Sequence, residues 1–356
     1  MTDAFLTHRQ LPKDVRSQPG LRVLYRDGRQ LFGARGAQVV VSDDEGRNWT
    51  PVARLVLPAS FAWTSQVRWL ERLARTEIYK LQRCGDFLVA ISRGGVYAGK
   101  LSSGRLNISY RVTRGSRPIS LAVSPTLEAF FGEYHANSER GPIRIYGTRD
   151  FQHWRVAHEF PAGDVRHIHG ITYDPHADCF WVTTGDSDQE SGILRCSTDF
   201  SEVRWIRRGA QRYRACAIRC LPEGLLYATD TEVEKNSVYF LSRDGRELRE
   251  LQGIESSSIH LGAFGEWTFF STLCEPTAVN DGRQLHIWGT RDQQRLVKLA
   301  VFEKDDLPHV FQFGSASFPD GETAPSSQII FSGTALKRFD NCSLFVPLQS
   351  FEKWAA

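Results

Sequence analysis

Methionine occurs once in 356 residues, at position 1, and no cysteine stands in a CxxC pair. No stretch reaches the roughly 18 apolar residues that a membrane-spanning helix needs. The opening MTDAFLTHRQLPKDV lacks the apolar centre of a secretory signal. Lysine and arginine form no long run, and a formal net charge of +3 is too small to point to nucleic acid. Each gap removes a class of protein. Seven cysteines, an odd number without a diagnostic spacing, fit free thiols in a reducing compartment better than a disulfide framework. A cytoplasmic location is therefore expected.

What is present is an ordinary globular composition, 41% hydrophobic and 24% charged, with 22 Phe, 10 Tyr and 9 Trp. The runs FLVAI, CFWVTT, WTFFST and SLFVPL are rich in β-branched and aromatic residues, which suits strands. The chain is longer than one compact core usually is, so two domains or one repeat architecture is expected.

A repeat is visible. Strand-like runs are followed at intervals of about 45–55 residues by a turn carrying Asp and often Trp. VVVSDDEGRNW holds Ser42, Asp44, Gly46 and Trp49, and IYGTRDFQHW holds Thr148, Asp150 and Trp154. LRCSTDFSEVRW holds Ser197, Asp199 and Trp205; YFLSRDGRELREL holds Ser242, Asp244 and Gly245; IWGTRDQQRLVKL holds Thr290 and Asp292. In such a turn the carboxylate accepts backbone N–H bonds, glycine takes a positive φ, and Trp covers the outside.

These five turns resemble the Asp-box, or BNR, repeats of sialidase-like β-propellers. The resemblance implies an all-β fold, a β-propeller of seven four-stranded blades. The blade-sized units run 21–59, 73–116, 117–163, 164–211, 212–254, 255–308 and 309–350 of a single domain spanning 1–356. Six blades is the alternative, with the last unit completing the first. Residues 60–76 interrupt the pattern: Trp63, Val67, Leu70 and Ala74 recur at helical spacing, predicting a short amphipathic helix that covers a blade edge.

In an antiparallel four-stranded blade, the entrance to the first strand and the turn between the second and third lie at one end. The Asp-boxes lie at the other and are read as structural. At the first end the turns FFGEYHANSERG, TTGDSDQESG, ATDTEVEKNS and STLCEPTAVNDG supply Glu133, Asp186, Asp188, Glu190, Asp230, Glu232 and Glu275. The first-strand entrances supply Arg117, then Arg166 with His167 and His169, then Arg212, Tyr213 and Arg214, then His260. Turn chemistry accounts for any single acid here. Both signs gathered at one mouth point to a binding site, because loops of several blades converge at the end of a propeller channel.

The H-x-H pair His167 and His169 on a strand points to one side. It can supply a general base with an orienting partner, a packed pair, or two metal ligands joined by His260, Asp186 or Glu133. No ligand spacing is diagnostic, so no cofactor is expected, and a divalent metal at His167 and His169 is the alternative. Arginines at successive entrances suggest an anionic ligand. Arg117, Arg166 and Arg214 resemble the carboxylate-gripping triad of sialidases. The chain departs from that family in having no clear Phe/Tyr-Arg-Ile-Pro segment, SRPIS at 116–120 being a late echo, and no assignable Tyr–Glu nucleophile pair.

Residues 115–275 as a whole look like glycosidase-like propeller proteins encoded among bacterial surface-polysaccharide genes. That likeness implies a glycan context, with an acidic oligo- or polysaccharide as partner. Three functions follow from these residues. A glycoside hydrolase would cleave beside an acidic sugar with Asp186 and Glu133 as its acid and nucleophile or base, Asp188, Asp230 and Glu232 standing close by. A polysaccharide lyase would use His167 or His169 to abstract a proton, with Tyr134 or Tyr213 returning one. A non-catalytic propeller would bind a glycan or assemble partner proteins through the same mouth.

Overall fold

The protein is described from a computed structural model covering residues 5–7, 11–321 and 327–355. Residues 322–326 of the last expected unit, and 1–4 and 8–10 of the opening segment, lie outside the described residues. The fold is all-β. Antiparallel four-stranded meanders succeed one another over 22–55, 80–111, 122–160, 167–208, 215–254 and 258–303. A further sheet combines Ser315–Ser317, Gln328–Thr334 and Cys342–Pro347 with Arg16–Pro19 from the start of the chain. The first two meanders are joined by a parallel contact of Arg105–Leu106 with Arg54–Leu55, and Asp320–Gly321 added beside Tyr25–Arg26 makes one nine-stranded sheet.

The burial pattern explains the long apolar runs. The second strands Cys179–Gly185, Gly224–Thr229 and Trp267–Thr272 are buried along their whole length. A strand covered on both faces by neighbouring sheets reads as a continuous hydrophobic segment rather than an alternating one. The fourth strand Val203–Arg208 is mostly half-exposed or exposed, and polar residues alternate through it.

All five Asp turns close as the local chemistry requires. Asp44 Oδ1 accepts the N–H groups of Arg47 and Asn48 at 3.0 and 2.8 Å and the Ser42 hydroxyl at 2.8 Å. Asp150, Asp199, Asp244 and Asp292 each accept at least one backbone N–H in the same way. The tryptophans do more than cover their own turns. Trp49 Nε1 donates to Gln18 at 2.8 Å, and Trp154 Nε1 donates to Ser109 Oγ at 3.0 Å. Trp205 lies near Phe160, ring centroids 6.5 Å apart. Each reaches the outer strand of the preceding sheet, so the repeat also couples neighbours.

The segment between the first two meanders is helical, as Ala59–Ala62, a 3-10 turn at Thr64–Gln66 and Arg68–Ala74. Its expected apolar side is not the buried one. Glu71 and Arg72 are buried, while Trp63, Val67, Trp69 and Leu73 are exposed. Ion pairing decides the orientation. Arg72 donates to Asp305 and to the Phe311 carbonyl, and Arg68 grips Asp340 through two bonds of 2.9 and 2.8 Å. A bidentate guanidinium–carboxylate pair fixes direction as well as distance.

Because Arg16–Pro19 pairs with Cys342–Pro347, the start of the chain closes the last sheet. Deleting residues up to Pro19 would leave that strand with a bare edge, which invites pairing with other chains. The expected result is a lower thermal midpoint and oligomers on gel filtration; an unchanged midpoint and a monomer would contradict the closure.

Candidate functional site

The hairpin that begins at His167 builds the site. His167 pairs with Gly185 and Ile168 with Thr184, so Asp186 emerges directly beside the two histidines. A register shift between Ile168 and Gly170 lies at His169. Two glycines make room. A Cβ on Gly170 would lie 2.5 Å from the Cys216 carbonyl oxygen, and one on Gly185 would lie 2.5 Å from the His169 ring. The first lets the next sheet approach; the second lets the imidazole lie flat against the strand.

Around the Asp186 carboxylate the side chains converge tightly. His167 Nε2 is 2.9 Å from His169 Nε2 and 3.2 Å from Asp186 Oδ1, and His169 Nε2 is 3.4 Å from the same oxygen. Arg166 Nη1 stands 3.1 Å from Oδ2 and Arg214 Nη2 3.3 Å from Oδ1. His167 Nδ1 is 3.0 Å from the His135 carbonyl, which can only accept, so Nδ1 carries hydrogen. Neutral His167 therefore has its lone pair on Nε2. Both histidines are buried, and His169 Nδ1 has no hydrogen-bond partner among the described residues. The Tyr134 ring lies 4.3 Å from that of His167.

A second layer adjoins the first. Arg214 also reaches Glu232 at 3.1 Å and Asp230 at 3.8 Å, and the Cys216 thiol donates to Asp230 at 3.3 Å. Gln211, which the sequence reading passed over, donates to the Asp186 carbonyl and to Asp188 Oδ1, both at 2.9 Å. Cys216 was passed over too. The only signal for either is position: GAQRYRAC enters the neighbouring sheet beside Arg214. An open pocket fronts the cluster, lined by Arg166, Asp186, Ser187, Asp188, Gln211, Arg214, Glu232 and Val233.

Other expected residues stand apart from it. Arg117 bonds Glu77 at 3.1 Å and stacks on Tyr79. His260 lies near Tyr79, ring centroids 6.5 Å apart. Tyr213 packs on the apolar core around Trp181. Glu133 accepts the Arg144 N–H at 2.8 Å and lines a separate small pocket with Tyr110, Arg114 and Tyr134. Glu190 pairs with Arg140 and accepts from Ser187, organising the turn. Asp186 and Glu133 thus line different pockets.

Electrostatics divides the carboxyls. Burial works against an ionised Asp186, but the His167 and His169 imidazoles, as donors when protonated, more than offset it and hold the group well below the usual carboxylate range. Asp230 is pushed up by burial, despite Arg214. Burial, then Asp230 and Glu232, push Glu275 up to about 7. Burial pushes the His169 imidazole down and the Tyr134 phenol up, so both are neutral near pH 7.

Glu275 gives a sign-definite pH effect. A carboxyl raised on folding binds its proton more tightly in the folded state, so stability falls as pH rises from about 4.5 through about 7. Thermal unfolding across that window is expected to show a smaller decline in Glu275→Gln than in the parent chain. Equal slopes would refute the assignment.

No family model and no curated protein matches the chain. Solved structures do. "YCF48 bound to D1 peptide" is 9% identical, with a TM-score of 0.57 over 94% of this chain and 97% of that one. A prolyl endopeptidase is 10% identical, with a TM-score of 0.55 over 89% of this chain and 46% of that one. A putative 6-phosphogluconolactonase from Bacteroides uniformis is 10% identical, with a TM-score of 0.51 over 79% and 83%. At such identities the likeness speaks for the fold alone, and the fold is a β-propeller.

Proposed function

We propose that the chain is a seven-bladed, sialidase-like propeller enzyme that breaks a glycosidic bond beside an acidic sugar in a reducing, cytoplasmic setting. The blade count rests on the succession of four-stranded sheets, and the family likeness on the five Asp turns. The setting rests on seven free cysteines. One observation carries the activity: Asp186, Arg166 and Arg214 line one pocket, two imidazoles adjoin that carboxylate, and the Tyr134 ring lies against His167.

Elimination suits these groups best. The His167 lone pair on Nε2 takes the proton α to a uronate carboxylate, and the electrons form the ring double bond as the glycosidic C–O bond breaks. The leaving oxygen takes a proton from Tyr134. Arg166 is the more exposed of the two arginines, with 34% of its side chain accessible against 8% for Arg214, and it meets the substrate carboxylate. Hydrolysis by Asp186 and Glu133 is less well supported: the two line different pockets and Glu133 is held by the Arg144 N–H, whereas Tyr134, which also lines the Glu133 pocket, has its ring 4.3 Å from that of His167. A hydrolytic route would instead draw on Glu275, whose proton is held to about 7, as acid.

Incubation with acidic oligosaccharides is the test, read by ultraviolet absorbance and product mass. Elimination yields an absorbing unsaturated product without added water; hydrolysis adds one water and no absorbance. Turnover is expected to fall by at least about 100-fold in His167→Ala and in Tyr134→Phe with circular dichroism unchanged. Parent-level turnover in both variants, or no product from uronate-containing substrates, would sink the reading.

A further inference from the structure

The three atoms at the heart of the cluster form a nearly regular triangle. Its edges are 2.9 Å between the two Nε2 atoms, and 3.2 and 3.4 Å from each to Asp186 Oδ1. Ligand atoms about 2.1 Å from one ion stand about 3.0 Å apart at octahedral angles and about 3.4 Å apart at tetrahedral ones. The observed edges span that range. We infer that His167 Nε2, His169 Nε2 and Asp186 Oδ1 form a binding site for one divalent transition-metal ion; the ion takes the Nε2 lone pair that proton abstraction by His167 needs, so turnover is read on the metal-stripped chain.

Hydrogen bonding supports the same conclusion. His167 Nδ1–H donates to the His135 carbonyl, which leaves Nε2 as a donor of its lone pair and fixes the ring, as outer partners of metal-bound histidines do. Two Nε2 atoms at 2.9 Å can share only one proton without clashing, whereas one ion accepts both lone pairs. His169 is 3% exposed, and its Nδ1 has no partner among the described residues, so its polar contacts run through Nε2, to His167 and Asp186. Two imidazoles and a carboxylate with open positions suit zinc, manganese or ferrous iron.

Arg166 and Arg214 oppose a cation and need an account. Arg166 contacts Oδ2, the oxygen the ion does not use. Arg214 contacts Oδ1, and its charge is balanced as well by Glu232 at 3.1 Å and Asp230 at 3.8 Å. A neighbouring set competes: His169, Cys216 and Asp230 also offer ligand atoms within 4.8 Å of one another. There the thiol already donates to Asp230 at 3.3 Å, and an ion must displace that proton to bind.

The full chain, stripped with chelator, should be titrated with zinc chloride by calorimetry and with cobalt chloride by visible absorption. One ion per chain is expected. His167→Ala and, should that variant fold poorly, Asp186→Asn should each weaken binding more than about 100-fold. His260→Ala, outside the triangle, should leave it unchanged. No stoichiometric binding at millimolar metal, or equal affinity in the variants, overturns the site. A thiolate charge-transfer band in the cobalt spectrum, lost in Cys216→Ser, would also overturn it by moving the ion to the neighbouring set. Metal stoichiometry is read without substrate, so an inert protein that binds one ion defeats the proposed reaction and not this site.

Discussion

The Asp186 carboxylate is the point on which the mouth of the propeller depends. Two imidazoles and two guanidiniums from two strand entrances converge on its oxygens within 3.4 Å. A half-buried anion is costly without partners, and each donor here would be costly without the anion. The residues therefore hold one another in place. Gln211 adds a bond to the Asp186 backbone, tying the turn to the next blade. The result is a set of reactive groups whose positions are determined by mutual satisfaction rather than by packing alone.

That set can form because the inner strands come unusually close. Gly170 faces the Cys216 carbonyl, and Gly132 faces Ile168, in each case without room for a Cβ. At the outer edge, Trp49 and Trp154 bond across to the preceding sheets. Glycines inside and tryptophans outside thus set the spacing of neighbouring blades. The same HIHG segment contributes both a spacing residue and the site's imidazoles, which couples architecture to chemistry at one place.

Much of this was readable in the primary order. The Asp turns carry local chemistry, so Asp44, Asp150, Asp199, Asp244 and Asp292 identify themselves, and the hairpin joining His167 to Asp186 follows from two strand-like runs around a turn. The helix at 60–76 shows where such reading stops. The segment is helical but broken at the extended Val67, and its buried residues include Glu71 and Arg72, because Asp305 and Asp340 wait far along the chain. Arg117 and His260 occupy the expected entrances yet engage Glu77 and Tyr79 instead. Gln211 and Cys216 carried no motif at all.

The sequence by itself determined the all-β repeat, its turns, and which short segments bring acids and imidazoles to one end of a blade. Each depends on interactions between residues near in the chain, and a local pattern suffices to specify them. Tertiary structure alone decided that Asp186 and Glu133 face different pockets, that Arg214 bridges three carboxylates, and that two imidazole nitrogens and a carboxylate oxygen stand within 3.4 Å of one another. Those outcomes turn on ångström-scale separations between blades, which arise from how neighbouring sheets close on one another.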